Sequence, residues 1–169
     1  MMKMKTKMKK TDDRRISLRH TLATLAYRAS KAIRDAPDGF SGFRPADSSR
    51  SAGEILAHMS DLMDWVLTQA RGKERWRNSK PREWQDDADR FFNALTAFDE
   101  YLASGSSMNI TPERAFQGAV ADALTHTGQI AMLRRMAGAR VRAENYSRAK
   151  IAIGRTGQGQ QKPVSEYGK

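Results

Sequence analysis

The chain contains no cysteine, and this absence removes several classes of site at once. Disulfide bonds, thiolate metal centres and cysteine nucleophiles are excluded, and nothing in the composition calls for an oxidising compartment. No apolar run approaches the roughly 20 residues needed to cross a bilayer, and the lysine-rich start lacks the apolar stretch of a secretory signal. The sequence therefore predicts a cytoplasmic protein for which a membrane is not an expected partner.

Strand-like alternation of apolar and polar residues is also missing, and the chain shows no internal repeat. Instead, apolar residues recur at helical spacing in four stretches that begin near residues 14, 51, 81 and 111. A chain of 169 residues can bury a core large enough to fold without a metal or a disulfide. We predict an all-α protein with one four-helix bundle domain at residues 14–155 and a flexible, irregular tail at 156–169.

Positive charge is abundant, with a formal net charge of +11 at pH 7. Five lysines within MMKMKTKMKK, residues 1–10, supply nearly half of it. This segment has too little apolar surface to fold, so residues 1–13 are predicted to form a disordered basic arm. The arm could contact nucleic acid non-specifically, but a solvated tail is the simpler interpretation, and nucleic acid is not an expected partner.

The most informative stretch is TPERAFQGAVADALTHTGQIAMLRRMAG, residues 111–138. Thr111 and Pro112 suit an N-cap and a first helical position, and Gly138 is a stop signal, so the pattern predicts one helix of about seven turns. Side chains about 100° apart per residue define its apolar face. That face would contain Phe116, Ala119, Val120, Ala123, Leu124, Ile130 and Ala131.

Asp122 and His126 lie at the edge of this face, four residues apart, and Gln129 follows three residues later. A carboxylate and an imidazole beside a buried surface are costly to desolvate unless something pairs with them. A divalent metal ion is one such partner. The alternative is that Asp122 only orients or ion-pairs with His126, and spacing alone favours it because such polar pairs are common on helices.

A second histidine, His58, falls on the apolar side of another predicted helix. This helix opens with the capping box Ser51-Ala-Gly-Glu54 and continues to about Ala70. A lone histidine in such a place is usually a core residue that hydrogen-bonds to a neighbour such as Glu54. His58 is therefore a candidate ligand only if a second helix brings suitable groups to it.

Helical bundles build metal sites from inward side chains on facing helices. A three-ligand site of His58, Asp122 and His126 is geometrically allowed on that basis. Ligand histidines normally donate their other N–H to an orienting group. The candidates for that role are Glu54, Asp61 and Gln129.

Two stretches, SAGEILAHMSDLMDWVL (51–67) and ADALTHTGQIAMLRRMAG (121–138), resemble the DinB/YfiT-like family. In that family a metal-binding histidine on the second helix meets an H-x3-H pair on the fourth, whose second histidine is followed by x-G-Q. Here His58 matches the first ligand, and His126, followed by Thr127-Gly128-Gln129, matches the last. The position four residues before His126 holds Asp122 instead of histidine. The resemblance extends over roughly residues 14–155.

The resemblance implies an up-down-down-up four-helix bundle, often a homodimer, that holds zinc or nickel, with iron or manganese as second choices. Some relatives are metal-dependent transferases or isomerases that act with low-molecular-weight thiols. Two histidines and one carboxylate still make three ligands with open positions for water or substrate. Asp122 therefore either preserves the site with a changed charge or marks a bundle that has lost its metal.

Two hypotheses about function follow. The first is a metal-dependent thiol transferase or hydrolase that acts on a small molecule, since an open position on the ion would hold an activated water or a thiolate. The second is a non-catalytic bundle that binds a protein partner, or nucleic acid through its basic surface. The three-ligand set favours the first hypothesis.

Overall fold

The computed structural model describes residues 12–168, and within this range four long helical segments dominate. They are α1 (Asp13–Ile33), α2 (Ala52–Ala70), α3 (Trp84–Ala103) and a fourth segment made of α4 (Pro112–Ala115), a π-helical turn (Phe116–Val120) and α5 (Ala121–Met136). α1 and α2 each pack against both α3 and α5, and the hydrophobic core lies between them. The all-α prediction is confirmed, whereas the up-down-down-up order stays a prediction.

Residues 1–11 of the predicted basic arm lie outside the described residues. Asp12, the next residue, caps α1 by accepting a hydrogen bond from the N–H of Arg14. Within residues 12–168, no helix combines the length and the apolar character that crossing a membrane requires.

The helix caps that the sequence predicts are present. The Ser51 hydroxyl accepts from the N–H of Glu54, and the Glu54 carboxylate accepts from the N–H of Ser51, which completes the capping box of α2. The Thr111 hydroxyl accepts from the N–H of Arg114 at the start of α4. These caps satisfy backbone donors that a helix start leaves unpaired, so they fix where α2 and α4 begin.

The connector between α2 and α3 is longer than the sequence predicts. α3 begins at Trp84, whereas the apolar pattern predicts a helix that begins near residue 81. The N–H and hydroxyl of Ser79 donate to the buried carboxylate of Asp61 on α2, and these bonds hold the connector along that helix. In the same connector, Trp76 lies against the surface of α2 that carries His58.

The fourth helical segment is not the single regular helix that the sequence predicts. Gly118 adopts φ −90° and ψ −105°, outside the helical region, and the turn around it is π-helical. Such a turn accommodates an extra residue and changes the phase of the helix on either side. Phe116 is 45% exposed, so its predicted place in the core is wrong. Asp122 and His126 both follow the π-helical turn and keep their four-residue spacing in α5.

Beyond α5 the chain returns to pack on α1 and α3. Two strands, β1 (Ala143–Glu144) and β2 (Glu166–Tyr167), pair in antiparallel fashion. No strand was predicted, because two-residue strands show no alternation of polarity. In the predicted flexible tail at 156–169, Thr156 is buried and its hydroxyl hydrogen-bonds with that of Thr96 on α3.

Four polar side chains, which we call the clamp, hold this C-terminal segment to α1: Tyr27, Lys31, Glu144 and Glu166. The Tyr27 hydroxyl donates to Glu144 over 2.7 Å. The Lys31 ammonium lies 2.7 Å from Glu144 and 2.6 Å from Glu166. The side chains of Lys31 and Glu144 are 5% and 0% exposed, so the clamp is a buried ion-pair network.

Candidate metal centre

His58 on α2 meets Asp122 and His126 on α5, where these two helices pack together. One donor atom of each residue lies within 4.8 Å of those of the other two. Nε2 of His58 is 3.5 Å from Oδ2 of Asp122, and Nε2 of His126 is 3.4 Å from Oδ1 of the same carboxylate. The fold thus brings together the three residues that the sequence selected.

The distance from each imidazole to the carboxylate is compatible with a shared divalent ion, although the two histidines face different oxygens of Asp122. A direct hydrogen bond between a nitrogen and an oxygen is ordinarily about 2.7–3.2 Å long, and both contacts exceed that range. Two ligands bound at about 2.0–2.2 Å to a tetrahedral ion lie about 3.3–3.6 Å apart. Two imidazole nitrogens and a carboxylate also form a ligand set that zinc and non-haem iron accept. The residues present therefore fit such an ion.

Gln129 hydrogen-bonds to the ring of His126. Its Oε1 lies 2.7 Å from Nδ1 of His126. An amide oxygen can only accept, so Nδ1 carries a proton and the nitrogen that faces Asp122 is Nε2. The side chain of His126 is only 11% exposed, so this bond orients a ring with little freedom. Gln129 is the one predicted orienting residue that contacts a candidate ligand among the described residues.

His58 is partly enclosed. Its side chain is 18% exposed, and the ring of Trp76 lies 5.6 Å away between centroids, at 69° to it. Burial lowers the pKa of His58 below its ordinary value of 6.5, and the positive charge of Arg50 lowers it further, whereas Asp122 opposes the shift. His58 is therefore neutral at pH 7, the state in which imidazole binds a metal.

Glu54 and Asp61, the other two predicted orienting residues, have their hydrogen bonds elsewhere. The Glu54 carboxylate belongs to the capping box of α2 and lies 3.4 Å from Arg44. Asp61 is 2% exposed, accepts two hydrogen bonds from Ser79 and pairs with Arg90 on α3. Neither carboxylate contacts a candidate ligand among the described residues. Their predicted role as ligand-orienting groups is corrected, because their carboxylates bond to the start of α2, to Arg44, to Ser79 and to Arg90 instead.

A groove of about 490 Å³ opens beside the site. His126 and Gln129 line one part of it. The rest of its lining comes from α5, the start of α2 and the loop that precedes α2: Pro45, Ser49, Arg50, Ile55, Met132, Leu133 and Met136. Its volume lies in the range of small-molecule pockets, so a ligand of that size could approach His126 from this side.

Trp76 and Arg50 belong to the surroundings of the site, although neither was predicted from the sequence. The Trp76 ring also lies 5.6 Å from Trp65 on α2, whose Nε1 donates to Glu74 in the connector. The tryptophan within the charged segment RGKERWRNSK is the feature of the sequence that could have indicated this contact. A large aromatic residue in a polar loop often packs against a neighbouring element. Arg50 gave no such signal, since arginines are common in loops.

Comparison of the chain with protein-family models, with curated proteins and with solved structures finds no match. Membership of the DinB/YfiT-like family consequently stays a prediction that depends on the residues quoted above. Function has to be inferred from the chemistry of the site, because a helical bundle by itself supports many functions.

Proposed function

We propose that the protein binds a divalent metal ion through His58, Asp122 and His126 and is a metal-dependent enzyme. The convergence of three donor atoms within 4.8 Å carries this proposal. The distances from the two histidines to the Asp122 carboxylate, 3.5 and 3.4 Å, are close to the separation between two ligands of a tetrahedral ion and support it, as does the hydrogen bond from His126 to Gln129. Zinc or nickel is the first choice of ion, and iron or manganese the second.

Each residue of the site has a distinct part in this proposal. His58 and His126 would hold the ion through Nε2, and Gln129 would keep the proton on Nδ1 of His126. Asp122 would add one negative charge that partly neutralises the cation. Its side chain is 45% exposed, so the site is open to solvent at Asp122 as well as through the groove beside His126. Trp76 would limit access of water to His58.

Three protein ligands leave at least one coordination position for a small molecule. A bound ion there supplies Lewis acidity and stabilises a bound hydroxide or thiolate. Hydrolysis and transfer of a low-molecular-weight thiol are the reaction classes that we propose, the second because of the family resemblance. A homodimer, also implied by the resemblance, stays a prediction.

Thermal unfolding of three proteins tests metal binding: wild type, Asp122→Asn and Asp122→His. Zinc or nickel should stabilise the wild type by about 2.7 kcal/mol at a free concentration 100 times the Kd, and a chelator should reverse this. Asp122→Asn should show a smaller gain, because the ion loses a charged ligand. Asp122→His, which restores the family pattern, should retain or increase the gain.

His20→Ala is the matched control, since His20 is an exposed histidine on α1 outside the site. It should respond to metal as the wild type does. Metal content of the purified wild type, measured directly, should agree with the melting data. If the wild type and both Asp122 variants are indifferent to metal, the enzyme proposal fails and the partner-binding bundle remains.

Cobalt(II) substitution tests the thiol branch separately. Glutathione added to the cobalt protein should produce a sulfur-to-cobalt charge-transfer band if a thiolate can occupy the open position. The His126→Ala variant should not give the band. A cobalt protein that binds metal but shows no band would leave hydrolysis as the reaction class.

A further inference from the structure

The groove beside His126 is apolar over most of its length. Its apolar lining consists of Pro45, Ile55, Met132, Leu133 and Met136. Met132 and Met136 lie one turn apart on α5 and are 58% and 54% exposed. Methionine side chains are flexible and polarizable, so they adapt to apolar ligands of different shapes. The groove thus offers a surface for a hydrocarbon or aromatic group.

One cation, Arg50, interrupts this apolar lining. Within residues 12–168, no carboxylate forms a close ion pair with its guanidinium; the carboxylate of Glu54 interacts with it only at longer range and lies 3.4 Å from Arg44 of the same loop. Arg50 lines the same groove as His126, a residue of the candidate metal centre. A guanidinium without a close ion-pair partner therefore lies in the groove, on the same lining as His126.

The charges of the groove indicate what it does not bind. Its lining includes no Asp or Glu, so the same face of a second copy would bring no counter-charge to Arg50. Arg50 is its only Lys or Arg, which matches a ligand with a single negative charge. A guanidinium has the planar fork that binds a carboxylate through two hydrogen bonds.

We propose that the groove binds a small carboxylate with an apolar tail, with the carboxylate at Arg50 and the tail along Met132 and Met136. This inference rests on the proposed function, because the bound carboxylate lies next to the metal centre and so defines the class of substrate. The apolar tail gives up water when it contacts the methionines, and the carboxylate supplies orientation.

Calorimetric titration of the full chain with decanoate tests the proposal, with and without zinc. Acetate lacks the tail and decan-1-ol lacks the charge, so each should bind the wild type at least about tenfold more weakly than decanoate. Arg50→Gln should weaken decanoate binding about tenfold and leave decan-1-ol binding unchanged. Met136→Gln should weaken the binding of both.

Arg44→Gln is the matched control, because Arg44 lies in the same loop but does not line the groove. It should bind decanoate as the wild type does. Equal decanoate binding by the wild type and Arg50→Gln would overturn the proposal. A dimer that covers Met132 and Met136 and forms equally well in Arg50→Gln, detected by size-exclusion chromatography, would also overturn it.

Zinc binding, measured separately by the melting curves, distinguishes the two proposals. A protein that binds zinc but not decanoate would overturn the carboxylate groove and leave the proposed function in place. A protein that binds decanoate through Arg50 but binds no zinc would support the groove and overturn the metal enzyme.

Discussion

The clamp and the candidate metal centre are both clusters of charged and polar side chains, yet they differ in how well their members satisfy one another. In the clamp, Lys31 contacts Glu144 and Glu166 at 2.7 and 2.6 Å, and the side chains of Lys31 and Glu144 are almost fully buried. In the metal centre, the carboxylate of Asp122 lies 3.4 and 3.5 Å from two imidazoles and is 45% exposed.

This difference indicates which cluster stabilises the fold and which can bind a ligand. A buried network whose donors and acceptors are matched holds its elements together and has no capacity for a ligand. A cluster whose ligand atoms converge without close contacts can gain a bond from an ion. We therefore expect variants of the clamp to affect folding and variants of the metal centre to affect metal binding.

The largest effect should come from breaking the clamp. Glu144→Gln leaves the buried ammonium of Lys31 with Glu166 as its only carboxylate partner in the cluster. Removing one partner of a buried pair costs about 3–5 kcal/mol, and we expect a loss of about 3 kcal/mol because Glu166 remains. Urea unfolding at pH 7 measures this loss.

Glu166→Gln is the control for the same cluster. Its side chain is 26% exposed, so water can replace part of its contact and the loss should be smaller than for Glu144→Gln. Both variants should keep the metal-induced stabilisation of the wild type. A loss below about 1 kcal/mol for Glu144→Gln would show that the clamp is not a structural network.

A medium effect should come from Gln129→Leu, which removes the acceptor at Nδ1 of His126 but keeps a similar volume. Loss of such an orienting group weakens metal affinity about 10–100-fold, or about 1.4–2.7 kcal/mol. The Kd for zinc from competition with a chelator is the measurement. Gln117→Leu, an exposed glutamine in the π-helical turn, should leave the Kd unchanged. Equal Kd values for both variants would exclude Gln129 from the metal centre.

The smallest effects should be changes in how the free energy of unfolding depends on pH. The first of these concerns the clamp. Burial, together with the hydrogen bond to Glu144, raises the pKa of Tyr27 well above 10. Burial alone would lower the pKa of Lys31, but its bonds to Glu144 and Glu166 outweigh this and raise it above 10.5. Both groups hold their protons more tightly in the folded protein, so their contribution is complete below about pH 10 and is lost as pH rises further.

The metal centre should respond at the opposite end of the pH range. The pKa of His58 is lowered, mainly by burial, so the unfolded chain binds more protons below pH 6.5. The stability of the metal-free protein should therefore fall as pH decreases from 6.5 toward the lower pKa of the folded state. Urea unfolding between pH 5 and 11 should show that His58→Gln reduces only the acid slope and Tyr27→Phe only the alkaline slope. The reverse pattern would contradict the assignment of these groups.

Sequence patterns predicted those parts of the molecule that depend on neighbouring residues. The caps at Ser51 and Thr111 were identified correctly, because a cap is made by a side chain and a backbone group three residues away. The four-residue spacing of Asp122 and His126 likewise determines that both lie on one side of α5. The pairing of His126 with Gln129 follows from the same helical geometry.

Tertiary structure decided the features that depend on distant residues. Gly118 marks the π-helical turn, but a glycine within a helical pattern does not by itself specify such a turn. Asp61 bonds with Ser79 and Arg90 because those residues pack beside it. The clamp joins Lys31 to Glu144 across more than 100 residues. No local pattern encodes such a contact, because it exists only once the helices and the C-terminal segment have packed.

The composition and local patterns of this chain determined by themselves that it folds into helices and that Asp122, His126 and Gln129 share one region of a helix. Only the packing of α2 on α5 decided that His58 joins them, and only the loop before α2 decided that Arg50 lines the neighbouring groove. The physical reason is that helical periodicity gives the direction of a side chain relative to its own helix axis, whereas the distance between two helices depends on how the whole core packs.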